Sequence, residues 1–262
     1  MARIIAVGEA GFHIRLEELK PLSAHPGGLI LNTAVELSRM EHQVSMATEI
    51  GSDVLGHKII DILKKEGVDT YSVELSLDGT TPTTLEFVDT KTDEIIQQLR
   101  YDNFENCTEG FDIIWPTIET GDTIIFGGFL SISMRVRKRL WQFLTYAKER
   151  KANLIYLPGY NPVRMMRVTK VMPLIFENLE IADIVITTTD HLQFIFGKTD
   201  TAKAYKDNLE FYVNDFFNIG DEVIDYHAHG GQHERIPRIS SMKLPEALAW
   251  LIDNKILSKS TD

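Results

Sequence analysis

Two hydrophobic patterns alternate along most of this chain. Short continuous apolar runs, typical of buried strands, precede segments whose apolar positions recur every three or four residues, typical of helices. The first run covers residues 3–7 and ends at Gly8, and the first helical pattern covers residues 29–40. This order favours an α/β fold with a central, mostly parallel sheet flanked by helices.

The same patterns predict the remaining elements. Strands are predicted at residues 43–47, 71–75, 84–88, 94–99, 123–126, 153–157, 184–187, 211–218, 222–227 and 234–239, and helices at 53–63, 131–149, 171–179, 190–196 and 245–256. Three consecutive strands without a helix predict a small antiparallel β lid inserted at about residues 71–101. Since no repeat or linker interrupts the rest, we expect one domain over residues 1–262.

Composition narrows the class of protein. The chain has 262 residues, of which 44% are hydrophobic and 25% charged, and this excludes disordered and fibrous proteins. Cys107 is the single cysteine, so no intrachain disulfide can form and a reducing compartment is favoured. No apolar run has the length of a signal peptide core or of a membrane span, so we expect a cytoplasmic protein without a membrane partner.

The charge distribution argues against nucleic acid as a partner, because the net charge is −11. Residues 134–170 are an exception, with ten basic residues and one acidic residue. This stretch is interpreted either as an anion- or partner-binding surface or as the solvated face of an outer helix, and the second is the commoner case.

Motif searches exclude several chemistries. The chain has no phosphate-binding G-x-x-x-x-G-K-S/T loop, no G-x-G-x-x-G dinucleotide motif and no nucleophile elbow. His227, His229 and His233 are spaced so that they could hold a transition metal. Gly230-Gly231 between two predicted strands favours a hairpin turn instead, and no metal site is predicted.

A candidate ligand site begins at His25-Pro26-Gly27-Gly28. Adjacent glycines let the backbone approach a small ligand closely, and the following helix directs its first N–H groups at that ligand. Asn32, one turn into the helix, can donate to and accept from hydroxyl groups. A plain loop-to-helix turn would have the same spacing, so the spacing alone leaves both interpretations open.

Several segments together resemble the PfkB family of sugar kinases, which includes ribokinase-like and fructokinase-like enzymes. The matching segments are Gly8-Glu9, Gly27-Gly28 with Asn32 and Ala34, Gly51-Ser52-Asp53 with Gly56, Gly67-Val68-Asp69-Thr70, Pro82-Thr83, Leu99-Arg100, Ala182-Asp183-Ile184-Val185, Phe196-Gly197, Ile219-Gly220 and Ile236-Pro237. The resemblance implies a ribokinase-like fold, a sugar substrate, and ATP and magnesium as cofactors. It implies substrate-binding roles for Gly27, Gly28, Asn32 and Arg100.

The chain departs from the family at positions that carry chemistry. His13 stands where the family has a sugar-binding Asp, so an acceptor-only carboxylate is replaced by an imidazole. Residues 157–161 have the sequence L-P-G-Y-N, at a place where members of the family have a motif similar to D-P-N-x-R. Thr188 and His191 stand at the Asn and Glu of the N-x-x-E motif, and an imidazole is a poor ligand for magnesium.

The largest departure follows Pro237. The family has a G-A-G-D motif there, which supplies a glycine-rich anion hole and the general base for phosphoryl transfer. In this chain residues 238–243 lead directly into the last predicted helix, and we expect a C-terminally shortened member without these catalytic residues.

Three hypotheses follow from these features. The favoured one is a degenerate family member that binds a sugar, a nucleotide or a partner without efficient phosphoryl transfer. The second is an active sugar kinase with rearranged groups, in which Asp190, Asp221 or Asp225 replaces the base. The third is a structural protein that pairs with an active homologue. Apolar residues on the lid predict a homodimer, and they are Leu85, Phe87, Val88, Ile95, Ile96 and Leu99.

Overall fold

The computed structural model describes residues 3–92, 94–101, 113–160 and 167–258. Its strands are β1 Ile4–Val7, β2 Gly11–Glu17, β3 Lys20–Gly27, β4 Val44–Gly51, β5 Val73–Ser76, β6 Thr83–Asp89, β7 Glu94–Tyr101, β8 Thr123–Gly127, β9 Asn153–Leu157, β10 Ile184–Thr188, β11 Asp215–Ile219, β12 Val223–Ala228 and β13 Gln232–Pro237. Its helices are α1 Leu29–Arg39, α2 Val54–Lys65, α3 Met134–Glu149, α4 Val168–Ile181, α5 Thr189–Phe196, α6 Thr201–Ala204 and α7 Leu244–Leu251. Cys107, Asn161 and Arg164, which entered the sequence analysis, lie outside the described residues.

Nine strands form the main sheet, in the order β13-β12-β11-β10-β9-β8-β1-β4-β5. The strands from β11 to β5 in this order pair in parallel, and β12 and β13 extend the sheet as an antiparallel hairpin. Strands such as β1 and β8 are buried at every position. A parallel strand that is covered by helices on both faces is expected to be buried along its whole length. The predicted mostly parallel sheet is therefore confirmed.

Two hydrophobic cores lie on opposite faces of the main sheet. Ile5 and Val7 of β1 belong to one core, with side chains of α3, α4 and α5. Ile4 and Ala6 belong to the other, with side chains of α1, α2 and α7. Alternate residues of a strand point to opposite faces, so the central strand contributes to both cores.

The second sheet has four strands in the order β3-β2-β6-β7. Its β3–β2 and β6–β7 pairs are antiparallel, and a parallel β2–β6 pair joins them. The predicted small sheet is confirmed, but its membership is corrected. β5 pairs with β4 at the edge of the main sheet, whereas β2 and β3, which were not predicted, complete the second sheet. Pro21 and Pro26 argue against a strand by sequence, and β3 tolerates them because it is an edge strand.

Other predicted bounds change locally. The strand predicted at 211–218 begins only at Asp215, because a π-helical turn at Tyr205–Leu209 continues into a turn that leaves Phe211 exposed. The helix predicted at 131–149 begins at Met134, since a 3₁₀ turn occupies Phe129–Ile132. These apolar segments are too short for their hydrophobic periodicity to distinguish a turn from a strand or a helix.

Asp53 connects the main sheet to the second sheet. Its side chain caps α2 by accepting a hydrogen bond from the Gly56 N–H at 2.9 Å. It also accepts hydrogen bonds from the N–H and the hydroxyl of Thr81, each at 2.8 Å, and Thr81 leads into β6. Burial opposes ionisation of Asp53, but the hydrogen bonds from Thr81 and Gly56 outweigh it and hold its pKa below the ordinary value.

We predict that Asp53→Ala lowers the free energy of unfolding by about 1–2 kcal/mol, the cost of a lost helix cap. Because the pKa of Asp53 is depressed in the folded state, its contribution is present above the unfolded pKa of about 3.9 and is lost as the pH falls through the folded value. Urea denaturation at pH 7 and pH 3 measures both effects. Asp61→Ala, on the exposed face of α2, is the matched control. A difference between the Asp53 variant and the wild type that grows at acid pH would contradict this account.

Candidate functional site

A cavity of about 190 Å³ lies where β1, β8, β9 and β10 end, beneath the second sheet. Its lining residues are Glu9, Gly28, Leu29, Ile30, Arg100, Gly128, Phe129, Gly159, His191 and Leu244. Carboxyl ends of parallel strands are the usual place for a ligand in an α/β sheet. We call this space the first cavity. Its size suits a compact ligand, since pockets for larger ligands span roughly 300–1,000 Å³.

Gly28 brings the first turn of α1 to the first cavity. It is the residue before α1, has a φ of 132°, and as a glycine has no side chain with which to cap the helix. A Cβ at this position would lie 2.4 Å from the carbonyl oxygen of Glu9, so only glycine fits. Within the described residues, the first N–H groups of α1 therefore remain available to a ligand at the cavity wall.

Glu9 and Arg100 form an ion pair across the first cavity. Arg100, on β7 of the second sheet, donates from Nη1 to Glu9 Oε1 at 2.7 Å. Both side chains are largely buried, with 16% and 20% exposed, and the guanidinium lies 5.3 Å from the ring centre of Phe129. Glu9 Oε2 is buried and accepts no hydrogen bond within the described residues.

A second cavity, of about 490 Å³, adjoins the first. The residues lining both are His191 and Leu244. The second cavity is further lined by Tyr160, Thr188, Thr189, Asp190, Phe194, Ile219, Gly220, Asp221 and Arg238. Arg238 donates to the carbonyl oxygens of Gly220 at 2.8 Å and Met242 at 2.6 Å, and so holds the segment that leads into α7.

His191 separates the two cavities at the start of α5. Thr188 caps this helix by accepting a hydrogen bond from the His191 N–H at 3.2 Å. Burial lowers the pKa of the His191 imidazole to about 4, although the neighbouring Asp190 opposes the change. The imidazole is therefore neutral at physiological pH, and it offers nitrogen rather than the oxygen that magnesium prefers.

The N-terminus of α7 also lies between the cavities, which the sequence did not indicate. Glu246 Oε2 accepts a hydrogen bond from the Lys243 N–H at 3.0 Å, so the carboxylate caps its own helix. Pro245, in the first turn, has no N–H to donate. The Lys243 N–H is therefore already used, and fewer N–H groups at this helix start remain for an anion.

The predicted site residues divide into two groups. Gly28 and Arg100 line the first cavity, whereas Gly27, His13 and Asn32 are not among its lining residues. His13 Nδ1 lies 3.0 Å from Glu86 Oε1 on the neighbouring strand β6. A Cβ on Gly27 would lie 1.9 Å from His13 Cδ2, so this glycine makes room for the imidazole. Glu9 and Phe129 complete the site; Glu9 belongs to a quoted motif, and no sequence signal marked Phe129.

The histidine segment 227–233 forms the predicted hairpin turn between β12 and β13. His227 is buried and stacks on His233 with ring centres 4.5 Å apart, and burial lowers its pKa. Asp225, a candidate base, lies on β12 beside Arg235 at 3.2 Å and lines neither cavity. Among the described residues, no three His, Cys, Asp or Glu side chains are grouped so that they could hold a metal ion.

The basic stretch at residues 134–170 is used partly inside the protein. Arg137 is buried and donates to Asn178 Oδ1 at 2.6 Å, and Lys148 donates to Asp183 at 3.0 Å. Arg135 pairs with Glu49 of β4. These contacts hold α3 against α4 and the main sheet, whereas Lys138 and Arg139 are exposed, as expected for the solvated face of an outer helix.

Comparison with known proteins identifies the family. The model of the pfkB family carbohydrate kinases matches residues 1–214, and the chain belongs to this family. An uncharacterised sugar kinase of Pyrococcus horikoshii is 32% identical over 117 residues, which are 44% of this chain and 36% of that protein. The Arabidopsis thaliana protein named "Probable fructokinase-2" is 24% identical over 186 residues, which are 70% of this chain and 56% of the relative. The chain thus spans about a third to a half of the length of these curated relatives.

Solved structures share the fold. Fructokinase from Vibrio cholerae O395, bound to fructose, ADP and calcium, has a TM-score of 0.78 at 15% identity, over 90% of this chain and 76% of that one. Fructokinase from Halothermothrix orenii has a TM-score of 0.73 at 19% identity, over 97% and 98% of the two chains. The ribokinase-like fold is therefore confirmed. None of the helices within the described ranges combines the length and apolar character needed to span a bilayer.

We predict that Gly27→Ala lowers the free energy of unfolding by about 1–3 kcal/mol, because the added Cβ overlaps the His13 ring. In the His13→Ala background the same substitution should cost much less, since the ring is gone. Chemical denaturation of the wild type, both single variants and the double variant measures this coupling. Additive costs would show that Gly27 is required for another reason.

Proposed function

We propose that this PfkB-family protein binds a small sugar in the first cavity and has lost efficient phosphoryl transfer. The observation that carries the proposal is the combination of an open α1 N-terminus at the first cavity with a self-capped α7 N-terminus beside it. One can hold hydroxyl groups of a ligand, and the other offers fewer N–H groups to a transferring phosphate. We further expect the protein to act in the cytoplasm, because its single cysteine suits a reducing compartment.

Three features support sugar binding. The α1 N–H groups next to Gly28 are donors, Glu9 is an acceptor, and Arg100 closes the cavity from the second sheet. The cavity admits a compact ligand. Fructose is bound in the Vibrio cholerae neighbour with the same fold, which makes a neutral sugar the first ligand to test.

Two features support the loss of phosphoryl transfer. Glu9 is the one carboxylate among the described residues that line the first cavity, and its Oε1 already accepts a charge-assisted hydrogen bond from Arg100. Losing a general base costs roughly 10²–10⁴ in rate. Losing an oxyanion donor costs about 10²–10³. Because His191 is a poor magnesium ligand, metal-bound nucleotide would also be held less well.

An active kinase with rearranged groups is the second candidate. Asp190 and Asp221 line the second cavity, which adjoins the first at His191, so either carboxylate is available in that region. Both line the second cavity rather than the first, so a ligand hydroxyl would have to reach past His191. We therefore rank this function below sugar binding without turnover.

We predict that the protein transfers no phosphate from ATP to fructose or ribose above background. His13→Asp should not rescue turnover, because the base and the anion hole would still be missing. A coupled assay for ADP, with and without magnesium, measures activity, and calorimetry on the same samples measures binding of sugar and nucleotide. An ordinary kinase rate of about 1–100 s⁻¹ would refute the proposed loss of phosphoryl transfer. Asp190→Asn and Asp221→Asn would then identify the base.

We also propose that the second sheet pairs with that of another copy of the chain. Leu85, Phe87 and Leu99 occupy neighbouring positions on one face of this sheet and are only half-buried. Ile95 and Ile96 are exposed, whereas Val88 is buried within its own chain, which corrects its predicted place at the interface. A small sheet with an apolar face tends to be covered, and a second copy supplies a matching apolar face.

We predict a dimer by size-exclusion chromatography with light scattering at tens of micromolar protein. Phe87→Glu should give a folded monomer, because a charge cannot be buried unpaired between two apolar faces. Leu77→Glu, at an exposed leucine outside the second sheet, is the matched control and should remain dimeric. A monomeric wild type would refute the proposed pairing.

A further inference from the structure

The charges at the first cavity are balanced without a ligand. Among the described residues that line it, Glu9 and Arg100 are the charged pair, and they are joined at 2.7 Å. His191 adds no charge at physiological pH, since burial lowers its pKa to about 4. Across His191, the nearest further charge on α5 is the carboxylate of Asp190. Among the described residues that line the two cavities, an anionic ligand would therefore meet the carboxylates of Glu9 and Asp190 and no cation that is not already paired.

The helix N-terminus at the cavity does not reverse this balance. The N–H groups at the start of α1 attract negative charge. Glu9 supplies such a charge at the same wall, where its backbone carbonyl lies directly against Gly28. A ligand carboxylate or phosphate there would compete with Glu9, whereas a hydroxyl group would not.

The unpartnered atom at the cavity is an acceptor. Glu9 Oε2 is buried with no hydrogen-bond partner in the described residues, while Oε1 is held by Arg100. A buried carboxylate oxygen without a donor is costly, and a hydroxyl donor relieves the cost. Because a hydroxyl also accepts hydrogen bonds, it can use the α1 N–H groups at the same time.

We propose that the Glu9–Arg100 pair makes the first cavity selective for neutral polyhydroxyl ligands, with Glu9 Oε2 accepting from a ligand hydroxyl, and that it excludes sugar acids and sugar phosphates. This inference rests on the proposed binding of a small sugar. Glu9 is thus a specificity-determining residue. Arg100 positions Glu9 and, because it lies on β7, couples the second sheet to the occupied site.

Calorimetry with matched neutral and anionic probes tests the inference. The pairs are D-glucose with D-glucuronate, which differ at one carbon, and D-fructose with D-fructose 6-phosphate. We expect the wild-type protein to bind a neutral member and to bind its anionic partner about a hundredfold more weakly, the scale of a like-charge contact. Glu9→Gln should weaken the neutral ligand and strengthen the anion about tenfold or more, because the substitution removes the negative charge of Glu9 from the cavity wall.

Controls separate charge from size and from misfolding. Glu94→Gln makes the same change at an exposed position of β7 and should leave both affinities unchanged. Arg100→Gln leaves Glu9 unpaired, so the anions should stay excluded while the neutral ligand weakens. Thermal unfolding reports whether each variant folds, and the wild-type comparison needs no variant.

Each contrary outcome has a distinct meaning. If the wild-type protein binds both members of a pair with similar affinity, the proposed exclusion of anions is wrong, whereas the proposed binding of a sugar is supported. If the folded Glu9→Gln variant still excludes the anionic probes, the exclusion is due to ligand size, and the proposed role of Glu9 is wrong. Anion binding by Arg100→Gln would overturn it as well. Failure of the wild-type protein to bind any neutral probe would refute the proposed function and this inference with it.

Discussion

The second sheet has to be held against the main sheet, and the site depends on this attachment. Among the described side chains of its four strands, only Phe12 and the partly buried Ile14 belong to the hydrophobic cores of the main sheet. Two polar contacts fix the sheet along one border: Asp53 with Thr81, and Arg100 with Glu9. Each joins one of these strands, or the segment leading into it, to a loop or helix end at the carboxyl edge of the main sheet. The first cavity is the space that these contacts leave between the two sheets.

The sequence predicted the main sheet well because its strands are buried on both faces. Such strands are continuous apolar runs, and the helices between them keep a clear period, as at residues 29–40. The second sheet was harder to predict. β3 contains two prolines and is mostly exposed, so neither pattern is present in it. β5 has the length and composition of its neighbours, and only its pairing with β4 assigns it to the main sheet.

The candidate site was predicted in part for a related reason. Gly28 could be predicted from the sequence, because two adjacent glycines directly before a helical hydrophobic pattern are a local signal. The ion pair of Glu9 with Arg100 joins residues 91 positions apart, and no local pattern contains such a contact. Resemblance to a family supplied Arg100 but also assigned His13 to a ligand. In this structure His13 Nδ1 lies 3.0 Å from Glu86 Oε1 and the ring fills the space above Gly27, and its contact with a ligand stays a prediction. The position of α7 likewise follows from its packing on α1 and not from its own sequence.

The pairing of β1 has a consequence for the order in which the chain can assemble. β1 lies inside the main sheet between β4 and β8, and its register with β8 joins Ile4 to Thr123 and Val7 to Phe126. During synthesis the first strand must wait, paired on one side only, until the chain has extended beyond residue 126. The β2–β3 hairpin and the β6–β7 hairpin, by contrast, are local and can form early. Folding rates fall as contacts become less local, so closure of the β1–β8 pair is the step we expect to set the folding rate of this protein.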